Sequence, residues 1–181
     1  SLYLAAAGVG NITLVDGDAV ELSNLQRQIT YSENDIGKNK AQRTRQRLQS
    51  INSDIHISAI DQALTPNNAE ALIKAADLVV DCTDNFSTRY LINDLCKLNS
   101  IPWIYASIYQ FSGQCALFTP DESCFRCLFP NPPQDAPDCN AAGVLGVLPG
   151  LLGTLQATEA LKILAGMPSA ISNTLLLVET N

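Results

Sequence analysis

The chain has 181 residues, a hydrophobic content of 46% and a formal net charge of −7 at pH 7. This length supports one substantial core, and we expect a single domain over residues 1–181. The acidic balance excludes a broad binding surface for nucleic acid or for an anionic membrane, since both require a basic field. The longest apolar stretch, residues 144–155, is too short and too rich in Gly and Pro to span a bilayer, so we expect a cytoplasmic protein.

Predicted helices and strands alternate as far as Ser107. In chain order they are the end of a helix stopped by Gly8 and Gly10, a strand ending at Asp16, a helix over 38–52, a strand over 56–60, a helix from Thr65 and Pro66 to about Ala75, a strand over 77–83, a helix capped by Ser87, and a strand over 102–107. The helix over 38–52 is expected to bury Ala41, Leu48 and Ile51, and the apolar strand over 77–83 to be buried on both sides. This alternation predicts an α/β fold, a Rossmann-like and mostly parallel sheet with helices on both faces.

The pattern changes after Ser107. Two extended runs are expected to turn around Ser112 and Gly113, followed by a CxxC loop. A segment rich in turns then leads to an apolar helix over 148–165 and a final strand over 174–180; its prolines are Pro130, Pro132, Pro133 and Pro137. The apolar helix suits either the interior of the monomer or a two-fold interface.

Two acids come just past predicted strands, Asp16 after the strand that begins at residue 11 and Asp84 after the strand over 77–83. In open parallel sheets, ligands lie beyond the carboxyl ends of the strands. An acid at this place accepts hydrogen bonds from a ribose or helps to hold Mg²⁺. The alternative is structural, with residues 16–18 forming only a turn and Asp84 only a helix cap.

Two cations, Arg27 and Lys40, lie near the start of the segments that follow predicted strands. A guanidinium and an ammonium are the groups that phosphoryl chemistry uses to offset developing charge. We therefore expect Asp16, Arg27, Lys40 and Asp84 to share one crevice. Four further basic residues are predicted to form a solvated helix face: Lys38, Arg43, Arg45 and Arg47.

Cys124 and Cys127 form a CxxC pair, which favours a shared metal such as zinc, with a thioredoxin-like redox pair as the alternative. A structural zinc needs two further ligands, and the single histidine, His56, lies in a predicted strand. Cys139 suits a third ligand or, better, a nucleophile. Three other cysteines are predicted to be core or near-core thiols: Cys82, Cys96 and Cys115.

Taken together and in order, several motifs resemble the bacterial ThiF/MoeB/HesA branch of the ubiquitin-activating E1-like family. They are ITLVDGD, LSNLQRQ, IGKNK, VVDCTDN, CFRC, PDCNAAGVLG and GTLQATEALKILAG, and they cover nearly the whole chain. The resemblance implies a Rossmann-like adenylation domain that binds ATP and Mg²⁺. It also implies adenylation of the C-terminal glycine of a ubiquitin-like sulfur carrier, ThiS or MoaD, in thiamine or molybdopterin biosynthesis.

The resemblance also implies roles for individual residues. Asp16 corresponds to the ribose-binding acid, and the polar motif after it surrounds the triphosphate together with Lys40; its members are Ser23, Asn24, Leu25, Gln26 and Arg27. Asp84 corresponds to the acid that contacts Mg²⁺ and the adenylate, with Asn85 beside it. Cys124 and Cys127 correspond to half of a Cys₄ zinc site, and Cys139 to the crossover-loop cysteine. Arg27, Lys40, Asp84 and Cys139 are thus the expected catalytic residues.

Three parts of the family pattern are missing from this sequence: a glycine-rich loop, an upstream arginine segment that crosses a dimer interface, and a second CxxC after the final strand. We expect a fragment or a member that lacks these parts, and weak ATP binding by the chain as written. The implied partners are a homodimer mate and a sulfur donor such as a cysteine desulfurase or a rhodanese. The alternative functions are adenylation of a small-molecule, peptide or RNA carboxylate, a non-catalytic docking module and, more distantly, a nicotinamide oxidoreductase.

Overall fold

The computed structural model describes residues 1–131 and 143–181, and the chain divides into two compact units, Ser1–Leu64 and Thr65–Asn181. Both units alternate helices with strands, which confirms the α/β class. Within the described ranges, no helix combines the length and the apolar character that crossing a membrane requires.

The first unit contains α1 (Leu2–Ala6), β1 (Asn11–Val15), α2 (Lys40–Ile51) and β2 (His56–Ile60). The strands pair in parallel, with Asn11 opposite His56 and Val15 opposite Ile60. Gly8 ends the first helix with a φ of +84°, a left-handed conformation that favours glycine. The core of this unit comes from α1, α2 and both strands: Ala5, Ile12, Leu48 and Ile57.

One expectation for α2 is wrong. Ala41 and Leu48 are buried as predicted, but Ile51 is 38% exposed. The helix ends at this residue, and the following Asn52 donates a hydrogen bond from Nδ2 to the carbonyl oxygen of Ala5, 3.0 Å away. The third buried position of the helix is Thr44.

The second unit contains α3 (Ala69–Lys74), β3 (Val79–Val80), α4 (Phe86–Leu98), β4 (Trp103–Tyr109), β5 (Ser112–Phe118), α5 (Phe125–Leu128), α6 (Leu148–Leu164) and β6 (Leu176–Glu179). Its four strands lie in the order β3-β4-β5-β6. The β3–β4 pair is parallel, whereas β5 pairs antiparallel with both β4 and β6. The predicted hairpin, apolar helix and final strand are thereby confirmed.

Two helices begin and one strand ends at residues other than those predicted, and in each case an Asn or Asp side chain explains the difference. The helix expected from Thr65 and Pro66 begins at Ala69, because Asn68 Oδ1 accepts a hydrogen bond from the Thr65 amide and closes a turn, at 2.8 Å. Asn85, not Ser87 or Asp84, caps α4 by accepting from the Thr88 amide at 2.9 Å. The strand expected over 77–83 is only Val79–Val80, since Asp81 Oδ1 accepts from the Thr83 amide and turns the chain.

The hairpin turns at Gln110 and Phe111 rather than at Ser112 and Gly113. Gln110 takes a φ of +51° there. Gly113 lies within β5, where a Cβ atom would come within 2.7 Å of Leu152 Cδ1. Its role is therefore close packing of the sheet against α6 and not chain reversal.

An aromatic cluster forms much of the core of the second unit. Phe125 of α5 is fully buried at its centre, with six ring centroids within 6.3 Å: those of Phe86, Tyr90, Trp103, Tyr105, Phe118 and Phe129. Aromatic pairs at these separations add stability beyond the area that they bury. A single side chain thus fixes the CxxC segment to α4, β4 and β5.

Replacing Phe125 with Ala should lower the free energy of unfolding by about 3–5 kcal/mol, because it removes a fully buried ring and leaves a cavity. Urea denaturation followed by tryptophan fluorescence measures this, since Trp103 lies in the same cluster. The matched control is Leu128→Ala in the same short helix, where the side chain is 38% exposed and the loss should be small. Equal losses in the two variants would contradict the central role of Phe125.

Candidate functional site

In the first unit, Asp16 begins a polar turn at the carboxyl end of β1. Its Oδ1 accepts a hydrogen bond from the Asp18 amide at 2.9 Å, so residues 16–18 form a turn. Asn39, which caps α2, donates from Nδ2 to the carbonyl oxygens of Asp16 and Asp18 and to Asp61 Oδ1, at 2.9, 3.3 and 2.6 Å. One amide thus ties the ends of β1 and β2 to the start of α2.

Lys40, the first residue of α2, lies over this turn. Its Nζ is 3.1 Å from Asp18 Oδ2, and its backbone amide donates to the Asp18 carbonyl oxygen at 2.8 Å. The Lys40 side chain is 12% exposed and that of Asp18 is 76% exposed. The ammonium is therefore held in place, while its anionic partner sits in solvent. An incoming phosphate has the charge to replace this carboxylate as the partner of Lys40.

The first three residues of the LSNLQRQ motif, Leu22–Asn24, form a short 3₁₀ helix, and the other four follow it. Asn24 is buried, and its Oδ1 accepts from the Glu21 amide at 3.3 Å, which gives it a capping role that sequence reasoning missed. Arg27 donates from Nη1 to the carbonyl oxygen of Ser23 at 3.0 Å. Ser23 and Gln26 are exposed, and Leu25 and Arg27 are half-buried. Within residues 1–131 and 143–181, the bond to Ser23 is the one side-chain hydrogen bond of Arg27, so most of its guanidinium donors could bind an anion.

A second short turn, Glu33–Asp35, is held to α2 by an ion pair that sequence reasoning missed. Asp35 is buried, and its Oδ2 accepts from the amide and hydroxyl of Ser32, both at 2.9 Å. Arg43 Nε lies 2.6 Å from Asp35 Oδ1, so the prediction that Arg43 belongs to a solvated face is wrong. The Ser32 amide, and also the Ser32 hydroxyl and Arg43, lower the pKa of Asp35, although burial opposes this.

Of the other basic residues assigned to the solvated face, Lys38 and Arg47 are exposed, as predicted, and Arg45 is half-buried. The available sequence signal for Asp35 was its spacing from Ser32, which matches a capping box with Asp in place of Glu or Gln. No comparable local signal marked Arg43 as its partner.

In the second unit, residues 81–85 form the loop between β3 and α4, which we call the 81–85 loop. Asp84 and Asn85 are exposed, and Asn85 Oδ1 accepts from Thr88 and Ser87. Cys82 is exposed and not a core thiol as predicted, whereas Cys96 and Cys115 are buried. Burial raises the pKa of these two thiols to about 12, which makes them inert.

Three buried polar side chains beneath the 81–85 loop escaped the sequence reasoning: Asp81, Arg89 and Gln156. Arg89 Nη2 donates to the Thr83 carbonyl oxygen at 2.6 Å, and its Nε lies 3.5 Å from Asp81 Oδ2. Gln156 of α6 donates from Nε2 to the Asp81 carbonyl oxygen at 2.7 Å. Burial raises the pKa of Asp81, while Arg89 and the Thr83 amide oppose that rise. Their sequence signal was weak, a polar residue inside an otherwise apolar run.

The CxxC thiols lie close together, with Cys124 Sγ and Cys127 Sγ 3.6 Å apart. Two thiolates on a tetrahedral zinc, each at about 2.3 Å, are about 3.8 Å apart, whereas a disulfide brings the sulfurs to about 2.05 Å. The pair thus has the spacing of two ligands of one metal. Within residues 1–131 and 143–181, no group of three or more potential metal ligands is found. Cys139 lies outside the described residues.

The CxxC segment is firmly attached to α4. Asn93 Oδ1 accepts a hydrogen bond from the Phe125 amide at 2.8 Å. Arg126 forms a bidentate ion pair with Asp94, with both contacts at 2.7 Å. The Arg126 guanidinium also lies 4.6 Å from the centre of the Tyr90 ring. These contacts fix the backbone that carries Cys124 and Cys127.

A sequence profile of the ThiF family matches residues 1–181. The chain belongs to the ThiF family. This ThiF family member is 44% identical over 176 residues to the SAMP-activating enzyme E1 of Haloferax volcanii, covering 96% of this chain and 65% of that protein. It is 45% identical to the sulfur carrier protein adenylyltransferase of Thermus thermophilus, over 98% of this chain and 68% of the relative. It is 46% identical to the sulfur carrier protein ThiS adenylyltransferase of Escherichia coli, with coverages of 92% and 67%.

Solved structures support the same fold for this ThiF family member. The crystal structure of E. coli MccB with MccA-N7isoASN superposes with a TM-score of 0.85 at 24% identity, covering 99% of this chain and 56% of that one. Selenomethionine PaaA superposes with a TM-score of 0.76 at 21% identity, covering 99% of this chain and 64% of that one. The family expected from the sequence motifs is confirmed, and the chain spans about two thirds or less of the length of these relatives.

Asp35→Asn should lower the free energy of unfolding at pH 7 by about 1.5–3 kcal/mol, the scale for hydrogen bonds to a charged group. Because folding lowers the pKa of Asp35, its stabilisation is complete above the ordinary value of 3.8 and is lost as the pH falls through the folded-state value. Urea denaturation at several pH values should therefore show the two proteins converging as the pH falls below 3.8. Glu33→Gln, in the same turn but exposed, is the control; a pH-independent difference for Asp35→Asn would contradict the assignment.

Proposed function

We propose that this protein uses ATP to adenylate the C-terminal glycine carboxylate of a ubiquitin-like sulfur carrier of the ThiS or MoaD type, with release of pyrophosphate. The supporting observation is the 45% identity, over 98% of the chain, to a sulfur carrier protein adenylyltransferase. The relative named as a ThiS adenylyltransferase supports the same class of substrate. Asp16, Arg27 and Asp84 lie in exposed or half-buried segments that follow strands, and Lys40 begins α2.

In the first unit, we assign nucleotide binding to the ends of β1 and α2. Asp16 is proposed to accept hydrogen bonds from the ribose, and Lys40 to exchange its carboxylate partner Asp18 for a phosphate. Arg27 is proposed to stabilise the departing pyrophosphate, because its one hydrogen bond within the described residues, to the Ser23 carbonyl oxygen, leaves most of its guanidinium donors available. The exposed or half-buried side chains around it complete the binding segment: Ser23, Leu25 and Gln26, with Asn24 holding its backbone.

In the second unit, we assign Mg²⁺ binding and adenylate contact to Asp84, with Asn85 beside it. An exposed carboxylate just past a strand has the oxygen donors that Mg²⁺ prefers. When bound, the ion supplies positive charge to neutralise the phosphates. Asn85 already uses its Oδ1 to cap α4, so its side-chain amide nitrogen is the group proposed to contact a ligand. Cys139 is proposed as a second reactive group, for a thioester or persulfide-derived link.

The proposed chemistry needs placement and charge rather than a base. A carboxylate is already ionised at pH 7 but is a weak nucleophile, so attack on the α-phosphorus requires the two anions to be held together. Arg27 and Lys40 reduce their repulsion and stabilise the leaving pyrophosphate. The single histidine of the chain, His56, is not needed for proton transfer.

The wider assignments follow the same family argument. We propose that Cys124 and Cys127 supply two of the four ligands of a structural zinc, consistent with their spacing. The activated carrier would then take sulfur from a donor such as a cysteine desulfurase or a rhodanese, for thiamine or molybdopterin synthesis. We place the protein in the cytoplasm, whose reducing conditions would keep these thiols available as metal ligands.

We also propose a homodimer that uses the apolar helix α6. Its buried side carries Leu148, Leu152 and Gln156, while Leu151 is 45% exposed and the preceding Val147 is 72% exposed. Exposed apolar residues on one long helix are suited to a two-fold contact.

Arg27→Ala and Asp84→Ala should each lower carrier-dependent ATP–pyrophosphate exchange by roughly 10²-fold or more in the full-length protein, the scale for removing one electrostatic stabiliser. Exchange of radiolabelled pyrophosphate into ATP is measured with a ThiS-type or MoaD-type carrier. The control is Arg47→Ala, which removes an exposed arginine from α2.

Wild-type exchange in either variant would contradict the assigned roles. Exchange that a peptide or small carboxylic acid stimulates, but no sulfur carrier does, would select a different substrate class. Carrier binding without ATP binding in calorimetry would select a docking module.

Leu151→Glu should convert a dimer into a monomer, because it places a charge in the proposed two-fold contact. Sedimentation velocity measures the mass, and circular dichroism checks that folding is retained. Leu98→Glu, a charge at an apolar side chain of α4 that is 73% exposed, should leave the dimer intact. A monomeric wild type would remove the proposal.

A further inference from the structure

We propose that Arg89 is a positioning residue that sets the place of Asp84 by holding the 81–85 loop from below. Its effect on catalysis rests on the proposed function, whereas its effect on the loop does not. Arg89 is 4% exposed and lies within α4, so it has no access to a ligand above the loop. It acts through the loop backbone.

The contact that carries this inference is the hydrogen bond from Arg89 Nη2 to the Thr83 carbonyl oxygen, at 2.6 Å. This oxygen belongs to the peptide unit that links Thr83 to Asp84. Because the peptide unit is planar, holding its oxygen also fixes its N–H and the Cα atom of Asp84. On the other side of Asp84, the Asn85 cap bonds to the Thr88 amide at 2.9 Å. The exposed acid is therefore held on both sides through its backbone.

Asp81 completes the arrangement at the start of the loop. Its side chain is 0% exposed, with Oδ1 accepting from the Thr83 amide at 2.8 Å and Oδ2 lying 3.5 Å from Arg89 Nε. Gln156 holds the Asp81 carbonyl oxygen from α6 and also donates to the Ile104 carbonyl oxygen at 3.3 Å. The amide and the carbonyl oxygen of Thr83 are thus both bound by one buried ion pair.

The arginine fork suits this position better than a lysine would. One guanidinium reaches an acidic side chain and a backbone carbonyl, and it packs beside two rings, with its central carbon 5.6 Å from the Phe86 centroid and 5.4 Å from that of Tyr105. A lysine would keep the charge but lacks the planar fork. Removing Arg89 would leave Asp81 as an unpaired buried carboxylate.

The first test measures the loop itself and needs no activity. Amide hydrogen exchange by NMR is compared for wild type, Arg89→Lys and the double variant Asp81→Asn/Arg89→Met. The double variant removes both buried charges of this pair, so neither is left unpaired and the protein remains able to fold. Because the Thr83 amide bonds to Asp81 Oδ1 and Arg89 holds that carboxylate, we expect this amide to exchange at least about tenfold faster in both variants, while the buried α4 amides around Ile92 and Cys96 keep their rates. Lys74→Met, which breaks the exposed Glu70–Lys74 pair of α3, should match wild type.

The second test measures carrier-dependent ATP–pyrophosphate exchange in the same full-length proteins. We expect kcat to fall roughly 10- to 100-fold in the double variant and less in Arg89→Lys, because a small misplacement of a positioned group is costly. The KM for ATP should stay within about threefold, since Arg89 does not contact the nucleotide. A purely structural role would instead lower the folded fraction, so kcat per folded protein would equal that of wild type.

Each outcome decides one part. Unchanged Thr83 exchange in folded Arg89→Lys and double variants would overturn the role of Arg89 in the loop. Faster Thr83 exchange with wild-type kcat would overturn its positioning role in the reaction. A wild-type protein without exchange activity would overturn the proposed function, and the NMR comparison would still decide whether Arg89 holds the loop.

Discussion

The turn after β1 and the 81–85 loop each depend on an asparagine that caps a helix. Asn39 caps α2 and also binds the backbone at the end of β1, and Asn85 caps α4 at the end of the 81–85 loop. The first amide groups of a helix have no partner within it, so the cap satisfies them and fixes the direction of the incoming chain. Lys40 and Asp84, one residue after and one residue before these caps, take their positions from them.

The two units support their loops by different physical means. In the first unit, Lys40 pairs near the surface with the solvated carboxylate of Asp18, and the buried Asp35 pairs with Arg43, whose side chain is 31% exposed. In the second unit, the loop rests on a buried ion pair between apolar elements, and the CxxC segment is anchored by Phe125. Surface pairs are readily exchanged for a ligand, whereas buried pairs are costly to break. The first arrangement suits binding and the second suits rigidity.

The sequence predicted where the candidate site residues lie better than it predicted which residues they contact. Asp16, Lys40 and Asp84 could be located because strand ends and helix starts follow from apolar periodicity and from polar residues beside them. The Asp35–Arg43 and Asp81–Arg89 pairs could not, because they join residues whose approach depends on how a loop folds back on a helix. Arg43 looked like a member of a solvated face since i,i+4 spacing describes the helix surface and not what packs against it. The prediction that Cys82 is a core thiol was wrong for a related reason. Its apolar neighbours suggested a long strand, but Asp81 ends that strand early.

In the proposed reaction the nucleophile is already ionised, which leaves the protein little proton transfer to perform. The barrier then depends on how accurately anions are placed and neutralised, so a displacement of a carboxylate matters more than its pKa. An exposed acid such as Asp84 cannot secure its own position, since solvent surrounds its side chain. Its backbone must therefore be held from within the protein, and a buried arginine bound to the adjoining peptide unit does this without entering the site. In this proposal, the buried charge of Arg89 fixes the position of the exposed carboxylate of Asp84.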